Sequence, residues 1–271
     1  MFNSISTQAS RLMSMTKRAH GDSKTKIVSI TSGKGGVGKS TLTANFAYLL
    51  SKKGKKVLVL DADIGLANLQ VLFNVKPIKT LHNYINDGDK ITDIITSTVH
   101  NNLKLIAGSS GYEYASGENS LFFTRLIEDI VALNKFDILL IDTGAGLNDY
   151  VQEFLALSHL ILAVTTTDPS ALTDLYALLK MVSLKKDKLL ICFNHTSKYE
   201  TGKTITNSIT KLALKNKLNR KFMVQYVGNI GGSSSIMTTS RLRKLYAQEF
   251  EHDVITAQLE MVVDNLIVHT G

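Results

Sequence analysis

The residues with the clearest capacity for chemistry lie together near the start of the chain, in Gly33-Lys34-Gly35-Gly36-Val37-Gly38-Lys39-Ser40-Thr41. This run satisfies GxxxxGK[ST]. It follows the β-branched run KIVSIT (26–31) directly and opens an apolar helical stretch, the strand–loop–helix setting that the motif requires. Its glycines let backbone N–H groups wrap phosphate oxygens, and the following helix turns its positive N-terminal end toward them. Lys39 would bridge the terminal phosphates of a nucleoside triphosphate, and the Ser40 hydroxyl would ligate Mg²⁺.

Two further strand-like runs end in carboxylates. KVLVLDAD (56–63) finishes at Asp61 and Asp63, on the carboxyl edge where open α/β sheets bind ligands. Alternation along a strand turns both the same way, toward the metal and the terminal phosphate. FDILLIDTG (136–144) carries Asp142, placed to join the Mg²⁺ shell, and Gly144 and Gly146 follow it with backbones free to move with the phosphate. Phosphoryl transfer rests mainly on positioning and electrostatics, so the lack of an obvious strong base is no obstacle.

Such groups need a rigid scaffold. Apolar runs recur at KIVSIT, KVLVLDAD, LKLIAG (103–108), FDILLIDTG, LILAVTT (160–166), KLLICFN (188–194) and KFMVQYVG (221–228). Continuous rather than alternating runs predict strands buried on both faces, as in a parallel sheet. The segments between them are long enough for crossover helices. The expected fold is α/β: a single doubly wound, mostly parallel sheet with helices on both faces, of P-loop NTPase architecture, over residues 26–271. Residues 1–25 would form a short N-terminal helix and a linker, with AHGDSKT (19–25) as the hinge.

Composition removes several alternatives. With 44% hydrophobic residues in 271, the chain can bury a full core and is no disordered tail. The single cysteine, Cys192, forms no internal disulfide and no CxxC metal site, which favours a reducing cytoplasm. No run approaches the roughly 18 apolar residues of a membrane span.

The net charge of +8 is regional. Residues 180–222 hold ten Lys and one Arg against Asp187 and Glu200, a net of +9. Residues 1–26 carry +4, and the chain from Leu245 onward carries −5 with no Lys or Arg. Clustered positive charge raises the prospect of nucleic acid or anionic lipid, with a solvated helix face as the plain alternative.

KGGVGKST, with its early Lys34, resembles the deviant Walker A loop of the MinD/ParA superfamily of ATPases. The resemblance implies ATP and Mg²⁺ as ligands and an ATP-dependent homodimer in which Lys34 reaches the partner's phosphates. It gives Asp63 the orienting of the attacking water, with Lys34 and Lys39 as the other catalytic groups, and puts Asp61 nearer the metal. It makes Asp174, in VTTTDPSALTD (164–174), a partner of Lys34 when phosphate is absent, and Asn194 the reader of the adenine edge. Gly144 and Gly146 become a switch that senses the phosphate.

Within that superfamily DADIGLANLQVLFNVKP, TLHNYI, LIAGSSG, LLIDTGAG and VTTTDPSALTDLYALLK look like the flagellar-number ATPases of the FlhG/FleN type. Gln8-Ala9-Ser10-Arg11-Leu12 resembles that family's activator helix, which implies that Gln8, Arg11 and Leu12 contact an FlhF-type signal-recognition GTPase. Thr7 and Met13 depart from the family pattern. Ile5, Ala9, Leu12 and Thr16 fall on one helical face, enough for a docking helix. Flagellar basal-body or regulatory proteins would be further partners, and the bacterial cytoplasm, with peripheral contact at the inner membrane or cell pole, the expected location.

The end of the chain departs from these relatives. They commonly finish in a basic amphipathic helix, whereas here Leu259, Val262, Val263, Leu266 and Ile267 form an apolar stripe beside an acidic face. Anionic lipid repels such a face, so core packing is expected for it. Two other readings stay open on sequence: a division-site MinD-like ATPase and a ParA-like DNA-partitioning ATPase. The switch sequence argues against nucleic acid as partner.

Overall fold

A computed structural model describes residues 24–63, 68–108, 122–196, 198–216 and 221–270. The expected N-terminal helix, with Gln8, Arg11 and Leu12, lies outside the described residues.

All seven apolar runs form strands, and these pair in parallel: β1 (Lys26–Ser32), β2 (Val57–Ala62), β4 (Leu103–Ile106), β5 (Ile138–Ala145), β6 (Leu160–Thr165), β7 (Lys188–Phe193) and β8 (Met223–Asn229). An eighth, β3 (Ile95–Ser97), pairs antiparallel with β4 at one edge. Three residues are too few for periodicity to register, so no sequence signal announces it. The sheet order is β3-β4-β2-β5-β1-β6-β7-β8, which makes Asp142 lie on the fifth strand and brings its strand beside β1.

Each central strand is apolar on both sides because each side is covered. Val28, Ile30, Val59, Leu140, Leu162 and Leu190 face one layer, while Ile27, Leu58, Leu60, Leu139, Ile161 and Ile191 face the other. The first layer holds α1 (Lys39–Lys52), α8 (Ser234–Arg241), α9 (Tyr246–Glu249) and α10 (Val254–Thr270); the second holds α4 (Phe122–Ala132), α5 (Asp149–Leu157), α6 (Pro169–Val182) and α7 (Tyr199–Lys215). The short helices α2 (Leu69–Leu72) and α3 (Leu81–Asn86) follow β2. Burying each large aliphatic or aromatic side chain of these layers contributes roughly 1.5–3 kcal/mol.

The C-terminal stripe packs as its charge pattern indicates. Leu259, Val262, Val263 and Leu266 of α10 are buried in the first layer, and Ile267 packs partly against it. Acidic groups at this end meet lysines at the end of α1, through Lys53–Asp264 and Lys52–Glu251, both at 2.8 Å. No helix among the described residues is long and apolar enough to cross a membrane.

Candidate nucleotide site

β1 sits at the centre of the sheet, between β5 and β6, and delivers the chain into the loop 33–38 at the carboxyl edge. The loop is pinned at both ends. A Cβ on Gly33 would lie 2.6 Å from the Cβ of Asp174 on α6, so only glycine passes there. Gly38 takes a left-handed φ of 88°, and a side chain on it would run into the Asn194 amide. No side chain caps the start of α1, which leaves its first N–H groups to whatever the loop binds. Gly35 and Gly36 are exposed, Val37 is buried, and Ser40 and Thr41 are half-buried at the head of the helix.

Beneath the loop the charges converge. The buried Lys39 donates from Nζ to Asp142 Oδ1 at 3.0 Å and lies 3.9 Å from Asp63 Oδ2, with Ser40 Oγ at 3.4 Å. Thr43, one turn further along α1, donates to the same Asp142 oxygen at 2.9 Å. The other oxygen, Oδ2, is buried without a partner, as are the hydroxyls of Thr31 and Ser32 at the end of β1. Buried polar atoms are nearly always satisfied, so this trio marks a site shaped for additional polar groups. That donor set fits Mg²⁺ and phosphate. Among the described residues no cluster of three or more His, Cys, Asp or Glu could hold a metal alone, and Mg²⁺ characteristically takes one or two protein oxygens, with substrate phosphates and water completing its shell.

Asp61 stands opposite Asp142 in the β2–β5 register, so the two carboxylates are neighbours. The structure shows Asp61 also bracing the backbone. Its oxygens accept N–H groups from Asp63 (3.3 Å), Asn68 (3.0 Å) and Leu69 (3.0 Å), tying the turn after β2 to the sheet. Burial, and then the Asp142 charge, pushes its carboxyl up to about 7. Asp63 is half-buried, and desolvation raises its carboxyl above the usual range; its Oδ1 lies against Gly144.

Lys34 does not pair with Asp174. It is exposed and donates to Ser170 Oγ at 2.7 Å, one turn earlier on α6, while Asp174 abuts the backbone at Gly33. Asn194 does not present its amide outward: Nδ2 donates to Val37 O at 2.8 Å and Oδ1 accepts from His195 N at 2.9 Å, so the residue braces the loop. Gly146 N donates to Ser32 O at 3.0 Å, linking the glycine-rich end of β5 to the strand that feeds the loop.

Four residues of this network carry no assignment from sequence. Thr43 is one, and the i, i+4 spacing from Lys39 on an apolar helix was the available signal. Ser170, Thr31 and Ser32 are the others; Thr31 and Ser32 directly precede the loop in sequence, whereas only the folded register brings Ser170 to it.

A central glycine-rich loop between strand and helix, a buried lysine on a strand-end aspartate and unfilled hydroxyls define a P-loop nucleotide-binding protein. A family model described as an AAA domain matches residues 25–195, more than half of the chain. The flagellum site-determining protein YlxH of Helicobacter pylori is 37% identical over 97% of this chain and 91% of its own length. The antiactivator FleN of Pseudomonas aeruginosa is 27% identical over 83% and 80% of the two chains. The septum site-determining protein MinD complexed with Mg-ADP, from Pyrococcus horikoshii, superposes with a TM-score of 0.72 at 23% identity, over 89% of this chain and 96% of that one. The chain belongs to the MinD/ParA-type ATPases, in their FlhG/FleN branch.

Proposed function

We infer that this protein is an ATP-driven switch that controls flagellar number or placement. The observation that carries the switch is the convergence of Lys39, Asp63 and Asp142 under a loop whose first helical turn has no side-chain cap. The similarity to a flagellum site-determining protein along nearly the full length supports the flagellar setting over division or DNA partitioning.

In this reading Gly33 to Thr41 bind the phosphates of ATP, and Ser40 and Asp142 hold Mg²⁺. Bound Mg²⁺ would neutralise phosphate charge. Lys39 turns from Asp142 to the terminal phosphates. Lys34 leaves Ser170 and reaches a second copy of the chain, so that ATP binding and dimerisation are one event. Asp63 orients the attacking water, and Gly144 and Gly146 relay the loss of phosphate. Hydrolysis is slow and resets the dimer to monomers. The protein acts in the bacterial cytoplasm with peripheral contact at the inner membrane or cell pole, and its partners include an FlhF-type GTPase and proteins of the flagellar base.

The partner assignment is tested by adding the full chain to an FlhF-type GTPase. GTP hydrolysis should rise, and a Gln8→Ala chain should not raise it. Equal stimulation by both chains, or none by either, contradicts the assignment.

A further inference from the structure

The seven parallel strands all begin at the edge of the sheet opposite the phosphate loop, and lysine crowds that edge. Six of them, all but β6, have a lysine at or within three residues of their start: Lys26, Lys56, Lys104, Lys135, Lys188 and Lys221. Lys24 precedes β1, Lys185 precedes β7, and Lys215 ends α7 where the chain returns toward β8. Of these, Lys24, Lys56, Lys135, Lys185, Lys215 and Lys221 are exposed. The carboxylates at this edge are Asp137, which pairs with Lys24, Asp187, and Glu251 and Asp264, which pair with two further lysines, Lys52 and Lys53, at the end of α1.

Favourable contact with helix C-termini explains lysines such as Lys215, but not those that open strands. Nor is the edge purely charged. Leu184 (82% exposed), Val99 (77%), Val268 (75%) and Met223 (55%) stand beside these lysines. Leu184 adjoins Lys185. Val99 lies in the turn before β4, and Met223 opens β8. Val268 precedes His269, whose Nδ1 is 3.4 Å from Lys188 Nζ and so fixes the end of α10 at the same edge.

We propose that this lysine-and-aliphatic edge is a docking surface for an anionic phospholipid bilayer, with the nucleotide loop turned away from it. Lysines flanking single exposed aliphatic side chains suit the lipid interface, where the amine meets phosphate and the apolar group enters the acyl boundary. A polyphosphate backbone would reward the charge and leave the aliphatic groups in water, so lipid is the better fit. The surface also supplies what α10 cannot, since that helix spends its apolar stripe on the core. The proposal deepens the membrane part of the function inferred above and is independent of the ATPase reading.

The test is sedimentation of the full chain with phosphatidylglycerol-containing vesicles and with pure phosphatidylcholine vesicles, in parallel with ATP turnover. Each lysine near an anionic leaflet is worth roughly a fivefold change in partitioning, about 1 kcal/mol. A Lys185→Glu/Lys215→Glu chain should therefore lose at least about tenfold in binding to the anionic vesicles while hydrolysing ATP normally. A Leu184→Ser/Met223→Ser chain should also bind less, with all lysines kept. Binding no stronger to the anionic than to the neutral vesicles, or unchanged binding by the lysine variant, overturns the proposal. So does tighter binding to random-sequence duplex DNA than to vesicles with the same dependence on Lys185 and Lys215. Loss of ATP turnover in the unmodified chain would instead count against the ATPase reading and leave the vesicle result standing.

Discussion

At the scale of single residues, Lys39 and Asp142 act as a stored ion pair. Both are buried, the lysine faces a carboxylate with one satisfied and one unsatisfied oxygen, and Thr43 donates to the satisfied one. Thr43→Val keeps the shape and removes that donor, which should cost about 1–2 kcal/mol in the nucleotide-free protein, read by urea denaturation. Unchanged stability would mean that Thr43 does not carry the carboxylate. The loop and its aspartates were legible in sequence because phosphate binding demands glycine, lysine and hydroxyl at fixed spacing. Asn194 and Asp174 were legible only as positions. Their amide and backbone brace Val37 and Gly33, contacts between segments more than a hundred residues apart that no local pattern encodes.

At the scale of elements, the strands could be read because a sheet covered on both sides needs unbroken apolar runs. β3 escaped for want of length, and α10 could be placed because its stripe and its acidic face pointed to different neighbours. The helix α5 carries a titrating group away from the nucleotide loop. Burial, then the like charge of Asp149 one turn earlier, pushes Glu153 up to about 7. Its neutral form is favoured in the fold, so stability is lost as pH rises from the ordinary carboxylate range through about 7. Glu153→Gln cannot ionise. Thermal melts should find it more stable than the parent at pH values near 8 and matched with it near 5. A difference that stays the same at both pH values would assign the effect to packing instead. Asp61, also pushed up to about 7, adds a decline of the same sign that this variant leaves in place.

For the molecule as a whole, net charge was the least informative feature until the topology sorted it. The carboxyl edge of the sheet gathers Asp61, Asp63 and Asp142 around the phosphate loop, and the opposite edge gathers the strand-opening lysines. A linear count placed +9 in residues 180–222; folding distributes part of that charge to α7 and part to one pole together with lysines from four other segments. The fold thus has a nucleotide end and a basic end, and a switch is useful only if its two states differ in assembly. The central claim, that ATP binding joins two copies and hydrolysis through Asp63 separates them, is tested most directly by light scattering of Asp63→Ala during size-exclusion chromatography with ATP and Mg²⁺. The account predicts a lasting dimer without phosphate release, beside a Lys39→Ala chain that stays monomeric. A monomeric Asp63→Ala chain, or a Lys39→Ala chain that dimerises with ATP, would contradict it.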